Sequence, residues 1–389
     1  MFQNIFLSSL LCASLYAVDF ETFLADSLEK SPLLKTNALS LEQVDENAKL
    51  LTRYKNPSLS LEASHFSADV GSSAQGYRAA ISQPLRLWGV SDAREALGNA
   101  QKEQTIASVK LARANFIAQF SSLYAEYKLS VFTEELTQEE LEIVQYIAGI
   151  SKERYKNGTI ARVKFIQASL DEKRVKNFLA QAKVAKMSAY YRLIGWSGVN
   201  EELNVDTDYS FILSKKNDTR SNAQVAFLRA NVKNADANAE INTNKLEWVN
   251  LNAEFEQVPN QSITRVSVDI PLVIFNTKSQ EKRIAKLESQ KAEFITENFT
   301  QQVVFKLRKL QNSITRLREV EKTATELLDE LQELLNMYEE GYKIANTNLI
   351  ELQSIKNQFI KTKANLLNIK LKKELNIIEH NFLTGTYNE

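Results

Sequence analysis

Apolar positions along the chain follow two periods. In the second half, Val303, Leu307, Leu310, Ile314 and Leu317 alternate steps of four and three. After a break at Glu321 the series resumes with Ala324, Leu328, Leu331, Leu335 and Tyr338. This 3.5-residue period draws an apolar seam along a helix packed as a coiled coil. A helix over about 278–340 would be roughly 90 Å long, more than a globular core can cover. It must therefore pack against similar helices of the same chain or of neighbours. The other period is two. Val249, Leu251, Ala253 and Phe255 alternate with Asn250, Asn252 and Glu254, and Val266, Val268 and Ile270 alternate with Arg265, Ser267 and Asp269. Tyr77, Ala79 and Ile81 alternate with Arg78, Ala80 and Ser82. Such stretches are strands with one apolar and one polar face.

Helix breakers divide the chain along the same lines. Of only 5 prolines, Pro57, Pro84, Pro259 and Pro271 border or lie in two β-like regions, about 58–85 and 247–272, and Pro32 separates two N-terminal helical segments. Stretches 99–148, 159–194, 199–247, 272–340 and 342–384 hold neither glycine nor proline, and helix is the reading for most of that length.

The two halves resemble each other. Ser82-Gln83-Pro84-Leu85-Arg86-Leu87-Trp88-Gly89 matches Asp269 to Asn276, Tyr155-Lys156-Asn157-Gly158 matches Tyr338-Glu339-Glu340-Gly341, and Leu193-Ile194-Gly195 matches Leu383-Thr384-Gly385, all in the same order. Each half reads hairpin, long helix, Tyr-x-x-Gly turn, return helix and Leu-x-Gly stop, which points to a duplication. The first repeat spans 18–198, with strands at about 58–66 and 75–85 and helices at about 89–155 and 160–195. The second spans 199–389, with strands at about 247–257 and 262–272 and helices at about 278–340 and 348–384. Gly158 and Gly341 are expected to end the long helices in left-handed backbone. Thr159 and Asn348 are the candidate N-caps of the return helices, the latter with Glu351 three residues on.

Charge and chemistry narrow the classes. The 48 basic and 48 acidic residues cancel, which gives no electrostatic argument for nucleic acid. An apolar stretch from Ile5 to Tyr16 followed by Ala17 reads as a signal peptide, residues 1–17. Cys12 is the sole cysteine, so cleavage after Ala17 leaves no disulfide. Leu10 and Leu11 stand where a lipoprotein signal has small residues, which argues against a lipid anchor at Cys12. No later run is long and apolar enough for a membrane helix. A nucleophile elbow, a P-loop and a dinucleotide fingerprint are all missing, and His65 and His380 have no second histidine at ligand spacing. The sequence thus offers no catalytic residue, no metal set and no cofactor. If the alternating strands face lipid, four are too few to close a barrel, since the smallest single-chain barrels use about eight. Open edges in lipid are costly, so several chains would have to share one barrel.

The segment Gln83-Pro84-Leu85-x-Leu87-Trp88-Gly89, the two Tyr-x-x-Gly turns, Ile166-Gln167-Ala168 and the closing Leu-x-Gly resemble the TolC family of outer-membrane factors, and especially its CusC/CzcC-like branch. The likeness runs from about Phe20 to Gly385. It implies a mainly α fold with a small β part. In such a homotrimer each chain gives four strands to a twelve-stranded outer-membrane β-barrel, and long helices form a periplasmic α-barrel. An equatorial belt would use segments such as Val199 to Lys216. The expected role is a conduit of a tripartite efflux system, with a periplasmic adaptor and an inner-membrane pump as partners, outer-membrane lipid around the barrel, and metal ions or drugs as cargo. A type I protein secretion duct of the same fold remains an alternative, as does a soluble periplasmic coiled-coil protein. Val249, Leu251, Ala253 and Phe255 are expected to face lipid.

The resemblance also places a gate and adaptor-docking end at Tyr155, Gly158, Lys164, Tyr338, Glu339, Glu340, Gly341, Lys343 and Glu351. Tyr338 stands for a gating tyrosine and Lys343 lies near a relative's arginine. Lys164 occupies a position where relatives carry an aspartate. Since Lys164 and Lys343 would repel, Lys164 is expected to pair with Glu351, Glu339 or Glu340 instead.

Overall fold

The structure is a computed structural model that describes residues 17–67, 70–201, 203–216, 219–243, 246–344 and 346–388. The expected signal peptide, with Cys12, lies outside these residues apart from Ala17.

Seven α-helices and four strands are described. They run α1 Phe20–Lys30, α2 Pro32–Thr52, β1 Ser58–Phe66, β2 Ala74–Arg86, α3 Val90–Lys156, α4 Arg162–Ser197, α5 Ala223–Ile241, β3 Trp248–Val258, β4 Gln261–Asp269, α6 Ser279–Lys343 and α7 Leu349–Leu383. Asp19 caps α1, its carboxylate accepting from the amides of Glu21 and Thr22, and Pro32 opens α2, where its missing N–H costs nothing. Among the described residues of the breaker-free stretch 199–247, only those of α5 are helical. Residues 203–216 before it are irregular, and Val205 pairs with Val18 in a parallel bridge.

The chain divides into two compact units. One comprises Met1–Lys35, Arg113–Asp218 and Val304–Glu389. Its core joins Phe20, Phe23, Phe120, Tyr124, Leu193 and Phe211. The Phe20 ring stacks on Tyr209 at 4.3 Å, and the Tyr124 hydroxyl donates to the Asp206 carbonyl at 2.8 Å. The seam read from the sequence is buried here: Val303, at the unit boundary, and Leu307, Leu310, Ile314, Ala324, Leu331 and Leu335 are all covered. The break at Glu321 is a seam position held by charge, for its carboxylate pairs with Lys373 of α7.

The other unit, Thr36–Ala112 and Thr219–Val303, contains the sheet. Its strands pair antiparallel in the order β1-β2-β3-β4. The register sets Leu61 opposite Ala79, Ala79 opposite Phe255, Ile81 opposite Ala253 and Leu251 opposite Val268. One face is therefore apolar across all four strands, and Leu59, Leu61, Ile81, Leu251, Phe255 and Val266 on it are exposed. The opposite face carries charge. Arg78 pairs with Glu62 and Glu254, Arg265 pairs with Glu254 and Glu256, and Asn252 donates to Asp269 at 2.7 Å. β1 begins at Ser58, opposite Ser82, so Pro84 stands where β2 pairs on one side only, the place a strand tolerates a residue without N–H. β4 stops at Asp269, short of the expected 272, ahead of Pro271.

Three expectations about the helix ends are corrected. Thr159 is not the N-cap of α4. That position falls to Ala161, without a side-chain cap, while the Thr159 hydroxyl donates back to the Arg154 carbonyl at 2.8 Å. The return helix of the first repeat stops at Gly198, not Gly195, since α4 runs to Ser197 and Gly198 takes φ +72. Gly341 is not a left-handed cap either: it lies inside α6, and the turn follows it. A Cβ there would stand 2.6 Å from the Thr347 methyl, so Gly341 makes room and does not supply positive φ. With these corrections the duplication falls on one offset. Lys156 and Lys343 end the long helices, Arg162 and Leu349 open the return helices, and Gly198 and Gly385 follow their ends, each pair 187 residues apart.

Candidate functional site

Both long-helix hairpins turn within the first unit, α3 into α4 and α6 into α7, and the turns are neighbours. Ile147, Ala168, Leu335, Tyr342, Leu352 and Phe359, drawn from all four helices, share one apolar cluster. At its edge the hairpins are tied by polar contacts. The Tyr342 hydroxyl lies 2.8 Å from Ser151 Oγ. Ser151 gives its own proton to the Ile147 carbonyl, so Tyr342 is the donor. Arg154 donates to the Tyr342 carbonyl at 3.1 Å, and its guanidinium stands 4.8 Å from the centre of the Tyr342 ring. Tyr342 is almost fully buried.

Each turn is closed locally. Gly158 takes φ +71 and Thr159 folds back on α3. In the second turn the amides of Asn346 and Thr347 both donate to the Gly341 carbonyl, and the Thr347 hydroxyl donates to that of Tyr338. Asn348 caps α7, accepting from the Ile350 amide at 3.2 Å.

The residues singled out from the sequence are distributed as follows. The Tyr155 ring stacks on Phe165 at 5.6 Å within the first hairpin. Tyr338 is half-buried against the shared cluster and makes no polar contact across the hairpins among the described residues. The crossing tyrosine is Tyr342, which the Tyr-x-x-Gly pattern passed over because it follows the glycine. Lys343 pairs with Glu340 on its own helix at 3.8 Å. Within the chain Lys164 forms no ion pair among the described residues, and Glu351 is exposed. Glu339 is half-buried. Desolvation, with the Glu340 charge beside it, raises its carboxyl above the usual range.

Further along the same bundle, α7 places lysines at its own seam. Lys363 pairs with Glu139, and Lys356 reaches both Glu140 of α3 at 3.0 Å and Asp171 of α4 at 3.1 Å. Sequence reasoning missed these because charged residues on helices default to solvated faces. The heptad spacing of Lys356, Lys363 and Lys370, running through Leu352, Phe359 and Leu366, was the available signal.

At the strand ends, the Arg86 guanidinium donates to the carbonyls of Thr52 and Arg53, both at 2.9 Å, and lies 4.7 Å from the Trp248 ring centre. The Gln83 amide donates to the Lys55 carbonyl at 3.2 Å. Gly89 takes φ +81 where the strand becomes α3, leaving Trp88 fully exposed and Leu85 exposed. Among the described residues no group of histidine, cysteine or carboxylate side chains could hold a metal ion.

Residues 23–199 match the family model described as outer membrane efflux protein. Solved structures share the fold. CusC, known from crystal structures of folding and channel formation, superposes with a TM-score of 0.78 at 14% identity, over 94% of this chain and 91% of its own. The outer membrane protein VceC of Vibrio cholerae gives 0.77 at 14% identity, over 94% and 95%. The Campylobacter jejuni CmeC outer membrane channel gives 0.77 at 14% identity, over 94% and 85%. Among curated proteins none matches the sequence.

Proposed function

We propose that this chain, whose residues 23–199 match the outer membrane efflux protein model and whose fold is that of CusC and VceC, is the outer-membrane duct of a tripartite efflux system. The observation that carries this reading is the sheet. One face is charged and internally paired, the other is apolar and exposed, and among the described residues β1 and β4 each lack a partner on one side. An apolar band over a polar interior is the pattern of a membrane barrel. Unpaired edges in lipid require closure by further chains, and three chains of four strands give twelve. In this reading the helical hairpins extend into the periplasm, where a periplasmic adaptor docks and an inner-membrane pump delivers cargo. The junction segment 83–89, similar to the CusC/CzcC-like branch, favours metal ions or drugs as that cargo.

The paired turns are the gate. Tyr342, Ser151 and Arg154 hold one hairpin to the other, so opening must break these contacts. A Lys164–Glu351 pair, not formed within the chain among the described residues, would form between neighbouring chains of the trimer. Purified in detergent and added to planar bilayers, the parent should conduct rarely and Tyr342→Ala should conduct often. If neither protein ever produces conductance steps, the duct reading is wrong.

A further inference from the structure

Lys356 has no exposed surface and is the only lysine so buried among the described residues. Its ammonium group, on α7, touches the carboxylates of Glu140 on α3 and Asp171 on α4. Asp171 is also held by Arg174, one turn along α4. The four side chains form a line of alternating sign, Glu140, Lys356, Asp171 and Arg174, whose charges cancel. Lys356 thereby ties the return helix of the second hairpin to both helices of the first.

We propose that Lys356 is the charge lock of the closed state. Building on the duct reading, it resists separation of the two hairpins independently of the tyrosine contact at the turns. The physical basis is the asymmetry of buried ion pairs. A complete buried pair adds little net stability, because desolvation offsets attraction, but removing one partner leaves the other charge stranded and is strongly unfavourable. If α7 moves away from α3 and α4, the ammonium and both carboxylates lose one another together. The lock therefore yields in one step and discriminates two states, the role best attested for polar groups in coiled-coil seams. Its neighbours Leu352 and Phe359 are almost fully buried on either side, so water does not replace the lost contacts while the hairpins stay packed. The sequence permits no compensation from the other seam lysines: Lys363 and Lys373 are engaged with Glu139 and Glu321.

The test is the open fraction of the full-length protein in planar bilayers, with trimer yield and melting temperature in detergent measured beside it. Lys356→Met strands the Glu140 carboxylate, leaves Asp171 to Arg174 alone, and should raise the open fraction about tenfold or more. Combining it with Glu140→Gln and Asp171→Asn removes every stranded charge and should return the open fraction towards the parent's. Glu140→Gln alone keeps the Lys356–Asp171 pair, and should open to an intermediate degree even if the lysine variant fails to assemble. Parent-like conduction in both single variants overturns the lock, as does a triple variant as open as Lys356→Met. A fall in melting temperature with no change in open fraction also overturns it and leaves a merely structural contact. If no variant, Tyr342→Ala included, ever conducts, the duct reading itself fails, which is distinct from channels that form and ignore Lys356.

Discussion

Single side chains here act through where they are buried. The Tyr342 hydroxyl spans the hairpins to Ser151, and Tyr342→Phe deletes that donor while leaving the ring beneath Arg154. The expected loss is about 1 kcal/mol of closed-state stability, to be read as a modest rise in open fraction, smaller than that of Tyr342→Ala. His380 is almost fully buried, and burial lowers its pKa below the ordinary 6.5. Above that value both folded and unfolded chains carry it neutral, so it contributes no pH dependence. As pH falls below 6.5 the unfolded chain takes the proton first, and folded-state stability drops until the folded pKa is passed. Glu339 behaves oppositely. Its raised pKa means that stability is lost as pH climbs through the carboxylate range, and is regained in acid. Melting temperatures compared at pH 7.5 and 5.5 should fall less for His380→Gln than for the parent. At neutral pH Glu339→Gln should melt higher than the parent. An unchanged pH response in His380→Gln would show that other groups control the acid limb.

Elements are set by turns and faces. Gly198 holds φ +72 and lies under α2, where a Cβ would come within 3.0 Å of Pro32 Cδ and 3.1 Å of Ser31 Cα. Gly198→Ala combines left-handed strain, about 1–2 kcal/mol, with this close approach. It should lower the melting temperature clearly, whereas Gly195→Ala, inside the helix with open space around it, should leave it level or raise it. On the sheet, Leu251 and Asn252 are adjacent and point to opposite faces. Arginine on a lipid face costs roughly 2–4 kcal/mol near the midplane. Leu251→Arg should therefore impair recovery of assembled protein from outer membranes, while Asn252→Arg should be mild. Equal tolerance would argue for a soluble protein. The strands and the long helices were legible because each has a clean period. Gly341 was misread because glycine marks both left-handed turns and close contacts, and only the position of Thr347 distinguishes them.

At the scale of the whole molecule, one chain leaves too much unfinished to be a complete duct. Among the described residues the apolar sheet face is uncovered, both sheet edges are open, and apolar residues such as Leu170 on α4 and Phe294 and Phe305 on α6 are exposed. Native mass measurement in detergent should give about three times the mature chain, the number of four-stranded sheets that makes a twelve-stranded barrel. A monodisperse monomer that stays soluble without detergent would refute the assembly.

The periodicities, and with them the strands and the seam, were legible in the sequence because each is a local property of spacing between neighbouring residues, and the duplication was legible because both halves carry the same motifs in the same order. The sequence also carried the family likeness in the 83–89 junction. Only tertiary structure decided which residues join the hairpins. Tyr342 meets Ser151 and Arg154 across 191 and 188 residues, and Lys356 meets Glu140 and Asp171 across 216 and 185. The reason is physical. A tyrosine beside a turn or a lysine on a helix has the same local pattern whether it is solvated or buried, and its role is fixed by the groups that a distant helix brings within reach. The single offset of 187 between repeats emerged the same way, once backbone conformation showed which glycines end helices.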